Sequence, residues 1–244
     1  MKTKALAFAL AAGAVLPAFS DVTRVADFNI KNSDIALEAG AAFNGFTVLG
    51  EYVVDKAAQE SKEFTATVKY RYDINENFYL EPGASYTKYL KGKTYGELPD
   101  GGHAFRNVDT TKVELKGGWN SDFGLYAAAR YRYEVGGEES MRQTSKKDEE
   151  YRKVHRTDLT VGYHFESITA QYNWVHKKAK QDQFLLAGGK KSSDTHEIKL
   201  SYTDFDKFTP YAEFSVEDKG QRDAIKTGKY KSKDAVKVGV AFTF

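Results

Sequence analysis

The sequence predicts an all-β fold: a transmembrane antiparallel up-and-down β-barrel of 12 strands. Three observations lead there. Apolar and polar residues alternate with a period of two through most of the chain. The connections between these segments alternate short and long. Aromatic residues gather at both ends of the segments, as they do where a protein meets two membrane–water interfaces.

The first 20 residues read as a signal peptide. Lys2 and Lys4 make a positive start, residues 5–16 are apolar, and Ala18-Phe19-Ser20 offers a small-residue cleavage site. The apolar stretch is short of the ~20 residues a membrane helix needs. Residues 21–244 are then the mature barrel, exported to the bacterial outer membrane. The signal carries two of the 36 basic residues and none of the 34 acidic ones. Mature charge is therefore balanced, and any electrostatic preference must come from where charges sit. No cysteine is present, so backbone pairing, not disulfides, must hold an exported chain together.

Strands are expected at 22–30, 34–43, 45–54, 62–72, 77–89, 109–119, 123–134, 155–165, 168–178, 194–204, 208–217 and 234–244. The fourth sets Phe64, Ala66, Val68, Tyr70 and Tyr72 against Thr65, Thr67, Lys69 and Arg71. In the seventh, Leu125, Ala127, Ala129, Tyr131 and Tyr133 oppose Tyr126, Arg130 and Arg132. Leu159, Val161 and Tyr163 oppose Asp158, Thr160 and His164, and Ile198, Leu200 and Tyr202 oppose Glu197, Lys199 and Ser201. The last strand sets Val236, Val238, Val240, Phe242 and Phe244 against Lys237, Gly239 and Ala241. No 3.6-residue helical period competes. The first strand is the weakest by local pattern; an even number of strands requires it.

Short connections fall at 44–45, 73–76, 120–122, 166–167 and 205–207, and long ones at 55–61, 90–108, 135–154, 179–193 and 218–233. Phe43, Phe46, Phe78, Trp119, Phe123, Phe165, Phe205, Phe208 and Phe244 flank the short turns. Tyr86, Tyr131, Tyr133 and Trp174 fall toward the other end.

In such a barrel the polar faces point into a bore. Basic positions on them are Lys69, Arg71, Lys112, Lys116, Arg130, Arg132, Arg156, Lys199 and Lys237. Acidic ones include Glu38, Glu51, Glu81, Glu114, Asp158, Glu197, Glu213 and Glu217. Fixed cations beside a narrow aqueous path would attract anionic solutes, and arginine holds carboxylates with two parallel bonds. A mutually neutralised polar lining without strong selectivity fits these residues equally well. Tyr79 and Tyr126 would stack on sugar faces or merely fill space.

His103, His155, His164, His176 and His196 lack zinc-site spacing, so neither metal nor cofactor is expected. His164 shares a face with Thr160, but no third partner of a hydrolytic triad is suggested, so no enzyme is expected. The segment 73–77 lacks the glycine and closing glutamate of a calcium loop. Lysine pairs at 146–147, 177–178 and 190–191 would meet anionic lipopolysaccharide or simply be solvated. Val240, Phe242 and Phe244 resemble a recognition signal for the barrel-assembly machinery. Nothing points to nucleic acid.

Four segments resemble one family: FGLYAAARYRYE at 123–134, FYLEPGASY at 78–86, FTPYAEFSVED at 208–218 and VKVGVAFTF at 236–244. They are similar to the oligogalacturonate-specific porins. The resemblance implies a monomeric twelve-stranded barrel with a basic-lined pore that passes acidic oligosaccharides passively. The family's basic lining carries over to Arg130 and Arg132 in RYRYE, and next to Lys69 and Arg71 in VKYRYD. The other basic positions follow from alternation alone. Lysine stands at several positions where the family's pattern would have arginine, and carboxylates on the same faces are numerous.

Overall fold

A strand with one greasy and one wet face is stable only if both its edges find partners and its apolar face avoids water. The computed structural model meets both demands with a closed ring. It describes residues 22–32, 34–55, 60–90, 95–97, 103–105, 109–136, 153–180, 192–217 and 234–244. The expected signal peptide and most of the longer connections lie outside these residues.

The ring is built from β1 (Thr23–Lys31), β2 (Asp34–Phe43), β3 (Phe46–Asp55) and β4 (Glu60–Tyr70, resumed after Arg71 by Tyr72–Asp73). It continues through β5 (Phe78–Tyr89), β6 (Thr110–Asn120), β7 (Leu125–Gly136) and β8 (Lys153–His164). β9 (Ile168–Ala179), β10 (Ser192–Tyr202), β11 (Phe208–Glu217) and β12 (Ala235–Thr243) complete it. Each strand pairs antiparallel with its chain neighbour, and β12 returns to pair with β1. The weak first strand is therefore a full member of the wall, paired on both sides.

Alternation decides which face is which. On β6, Val113 and Leu115 are about half exposed, while Lys112, Glu114 and Lys116 between them are sheltered. The same inversion recurs on β10 and β11, where Ile198, Leu200 and Phe214 are exposed and Glu197, Lys199 and Glu213 are not. A water-soluble sheet would shelter the apolar face instead. Here the apolar side is the outer surface of the ring and the charged side is the inner one.

Turn chemistry sets the register. Asn44 and Gly45 both have positive φ (46° and 80°), the conformation that matches the twist of a two-residue hairpin. The Gly45 carbonyl accepts the Arg71 N–H at 2.7 Å, where the β4 ladder is interrupted. Aromatic rings line this end of the barrel: Phe43 lies 6.0 Å from Phe46, Phe46 4.6 Å from Tyr70, and Phe205 4.2 Å from Phe208.

Two expectations need correction. β3 runs to Asp55 and β4 starts at Glu60, so the connection expected at 55–61 is short. The β1–β2 connection around Asn32, at the same end, is also short. The short–long alternation thus holds from β5 onward. Within 90–108, read as plain loop, Tyr95–Glu97 and His103–Phe105 pair as a small hairpin.

Candidate functional site

The inner face concentrates charge on β4–β8. Alternation places Lys69 and Arg71 there from β4, Lys112, Glu114 and Lys116 from β6, Arg130 and Arg132 from β7, and Arg156 and Asp158 from β8. Register then decides which of them meet. Glu114 lies opposite Arg132, whose Nε donates to it at 2.7 Å. Arg130 reaches the same carboxylate at 3.5 Å. From the other side comes Lys69, at 3.7 Å, although β5 runs between its strand and β6. Gly83 makes that approach possible, because it lies between the two residues and a Cβ there would crowd both side chains.

Asp158 is the second anchor and is almost fully buried. Arg130 donates to it at 2.6 Å and Arg156 at 2.7 Å. Lys69 also lies 3.9 Å from Glu81, and Arg132 3.7 Å from Glu134. Two carboxylates thus bind four cations into one belt across neighbouring strands. Such charge-assisted bonds fix the arginine planes, so their remaining N–H groups point in defined directions.

Other expected positions lie apart from this belt. Lys112 donates to Thr87 Oγ1 at 3.0 Å. Arg71 sits at the break in β4, bonded to Asp73 at 2.7 Å and stacked 3.8 Å from the Tyr79 ring centre. Lys116 lies 5.4 Å from the same ring. Lys199 stands 4.0 Å from the Tyr211 ring centre, and Lys237 is 3.7 Å from Glu213. Glu197 accepts from Asn173 at 2.7 Å.

Alternation alone did not single out Asp27 or Tyr211. The Tyr211 hydroxyl donates to Asp27 Oδ1 at 2.9 Å, and Asn29 donates to the same oxygen at 2.6 Å. In β1 the apolar Val25 shares the face of Asp27 and blurs the alternation, and Tyr211 is an aromatic on the otherwise polar face of β11. The inner faces of β1–β3 also differ in sign from those of β4–β8, being mainly acidic with Lys31 at one end. Asp27, Glu38 and Glu51 lie side by side in register, with no cation among them.

Thr160 and His164 share the inner face of β8, as alternation places them, but bond to different partners. His164 Nδ1 hydrogen-bonds Thr169 at 2.8 Å, not Thr160, which instead donates to Asn173 at 2.9 Å. Its ring packs 4.9 Å from Tyr126. Thr160 and His164 therefore do not meet as a nucleophile and its base. No group of metal-ligating side chains occurs among the described residues. The three residues expected to form an assembly signal, Val240, Phe242 and Phe244, run along the outer face of β12 and its end.

A sequence profile described as oligogalacturonate-specific porin protein (KdgM) matches residues 34–244. Among solved structures, a NanC porin superposes with a TM-score of 0.68 at 18% identity, covering 91% of this chain and 100% of that one. A KdgM porin gives 0.58 at 20% identity, over 91% and 99% of the two chains. A KdgM porin in complex with disordered oligogalacturonate gives 0.59 at 20% identity, with the same coverage. At these identities the structural likeness speaks for the fold. No curated protein matches the chain in sequence.

Proposed function

We propose, on the premise that this chain belongs to the oligogalacturonate-specific porin family, that it is an outer-membrane channel through which oligosaccharides diffuse passively, acidic ones ahead of neutral ones. The observation that supports the acidic preference is the inner charge of β4–β8. From the level of Glu63 to that of Asp73 on β4 and across to β8, seven cations (Lys69, Arg71, Lys112, Lys116, Arg130, Arg132 and Arg156) stand against six carboxylates, Glu63, Asp73, Glu81, Glu114, Glu134 and Asp158. A narrow aqueous path between low-dielectric walls amplifies such a local excess. A sugar carboxylate passing this arc would exchange part of its hydration for N–H donors already held in place by Glu114 and Asp158. No bond is made or broken in this passage. That one similar solved structure is a KdgM porin in complex with disordered oligogalacturonate agrees with uronate-type solutes here.

Planar-bilayer recording of the refolded protein tests the reading. Oligogalacturonate should enter and interrupt the current at lower concentration than a neutral oligosaccharide of equal length. Charge reversal of Arg130 and Arg132 should abolish that difference. Equal behaviour of the two sugars would instead support a general, weakly selective porin. The mainly acidic inner faces of β1–β3 favour that second reading, because Asp27, Glu38 and Glu51 oppose the basic arc with fixed charge of the other sign.

A further inference from the structure

The inner cations differ in what holds them. Arg130, Arg132 and Arg156 are held by carboxylates, which fix the side chains but cancel much of their charge. Lys116 and Lys199 make no ion pair among the described residues; each lies beside a tyrosine ring instead. An aromatic face attracts a cation through its quadrupole and carries no net charge. It can therefore orient an ammonium or guanidinium without neutralising it.

The rings themselves are held in a specific way. Tyr79 and Tyr211 are buried, at 7% and 6% exposure. Each lies over a glycine of the next strand, Gly118 for Tyr79 and Gly239 for Tyr211. A Cβ at either glycine would fall within the ring of its tyrosine. Lying down against the wall keeps each ring out of the bore and turns a face toward the cations. Tyr211 is tethered further, since its hydroxyl crosses β12 to reach Asp27 on β1. Arg71 and Lys116 lie 3.8 and 5.4 Å from the Tyr79 ring centre, and Lys199 and Lys237 lie 4.0 and 5.4 Å from that of Tyr211.

We propose that Tyr79 and Tyr211, each seated on a glycine, are positioning residues that present the cation pairs Arg71–Lys116 and Lys199–Lys237 to the carboxylates of a passing solute. This rests on the acidic-oligosaccharide reading above and names Lys116 and Lys199 as the solute contacts that keep their charge, whereas Arg71 shares its charge with Asp73 and Lys237 with Glu213. A ring-supported lysine does for the solute what the carboxylate-bound arginines cannot do fully. Tyrosine at 79 and 211 is needed for its face, not its hydroxyl.

The test uses the full refolded chain in planar bilayers, with two readouts. One is the reversal potential in a potassium chloride gradient; the other is the oligogalacturonate concentration that half-blocks the current. Combined Tyr79→Leu and Tyr211→Leu should shift the reversal potential toward cation preference. It should also raise the half-blocking concentration by about two- to fivefold, the range of a modest cation–aromatic contact. Tyr79→Phe with Tyr211→Phe keeps both faces and should retain both wild-type values. Gly118→Ala and Gly239→Ala should displace the rings and follow the leucine variants; should they fail to fold, the leucine variants carry the test. A purely structural role predicts lower unfolding midpoints with selectivity unchanged, and that result overturns the proposal. So does a phenylalanine variant that behaves like leucine. If the wild type fails to distinguish oligogalacturonate from a neutral oligomer, the acidic-solute reading fails. The salt-gradient readout still decides whether the tyrosines set the field.

Discussion

Glu114 is the carboxylate on which most inner cations converge, with Lys69, Arg130 and Arg132 all within 3.7 Å. Its side chain is only 7% exposed, so it works at low local dielectric, where charge matters most. Glu114→Gln removes one negative charge and leaves three cations less compensated. Reversal-potential measurement should show a shift toward anions. Chemical denaturation should show a loss of about 1–3 kcal/mol, the cost of weakening buried charge-assisted bonds. An unchanged reversal potential would mean the belt is electrically silent. A second single-residue case sits at the rim. Partial burial would raise the Asp109 pKa. Hydrogen bonds from Lys88, the Tyr89 N–H and the Tyr86 hydroxyl outweigh it and hold the carboxylate below its usual range. A lowered folded-state pKa stabilises the fold at pH above the ordinary carboxylate value of roughly 4 and is lost as pH falls through the lowered one. Asp109→Asn should therefore reduce the unfolding midpoint at neutral pH and flatten its decline below about pH 4. Parallel acid titrations of the two proteins would show it.

Strands β2 and β3 place Glu38 and Glu51 directly opposite each other, a pairing that repels when both are charged. Neither has an ion-pair partner among the described residues. Glu38→Gln with Glu51→Gln should then do two things that seldom go together: raise stability by a few tenths of a kcal/mol to about 1 kcal/mol, and move selectivity toward anions. A destabilised double variant would mean the pair has a compensating partner. Each wall strand was placed to within about two residues: eleven of the twelve were readable from alternation, because a barrel strand must keep period two along its length, and β1 only from the need for an even count. The small hairpin at Tyr95–Glu97 and His103–Phe105 was not, since three residues are too few to display a period. The register shift at Val53/Val54 and the interruption at Arg71 also left no trace in the pattern. For the candidate site, alternation told which residues turn inward but not which would meet. That Arg132 faces Glu114, or that Lys69 reaches over Gly83, depends on stagger between strands, which no single strand encodes.

Closure is a property of the whole ring, and it is completed by the two ends of the chain. β1 and β12 pair through seven residues on each side, from Val25 with Thr243 to Lys31 with Lys237. Phe244 extends this seam: its N–H donates to the Arg24 carbonyl at 3.0 Å, and its carbonyl accepts the Arg24 N–H at 2.8 Å. Its side chain is 62% exposed in the aromatic band at the short-turn end. The last residue thus contributes backbone bonds that close an edge and a ring that faces outward. Deleting Phe244 removes both, whereas Phe244→Ala removes only the ring. If Val240, Phe242 and Phe244 serve as the outward-facing signal read during assembly, the alanine variant should insert poorly in cells yet refold in detergent with nearly wild-type stability. The deletion should fail in cells and also lower the unfolding midpoint of the refolded barrel, by about 1–2 kcal/mol for lost terminal pairing. Heat-modified mobility on gels, scored for cell membranes and for refolded protein side by side, separates the two contributions. Normal insertion of the alanine variant would confine the role of Phe244 to the seam, where an edge left open would expose unpaired backbone groups to lipid.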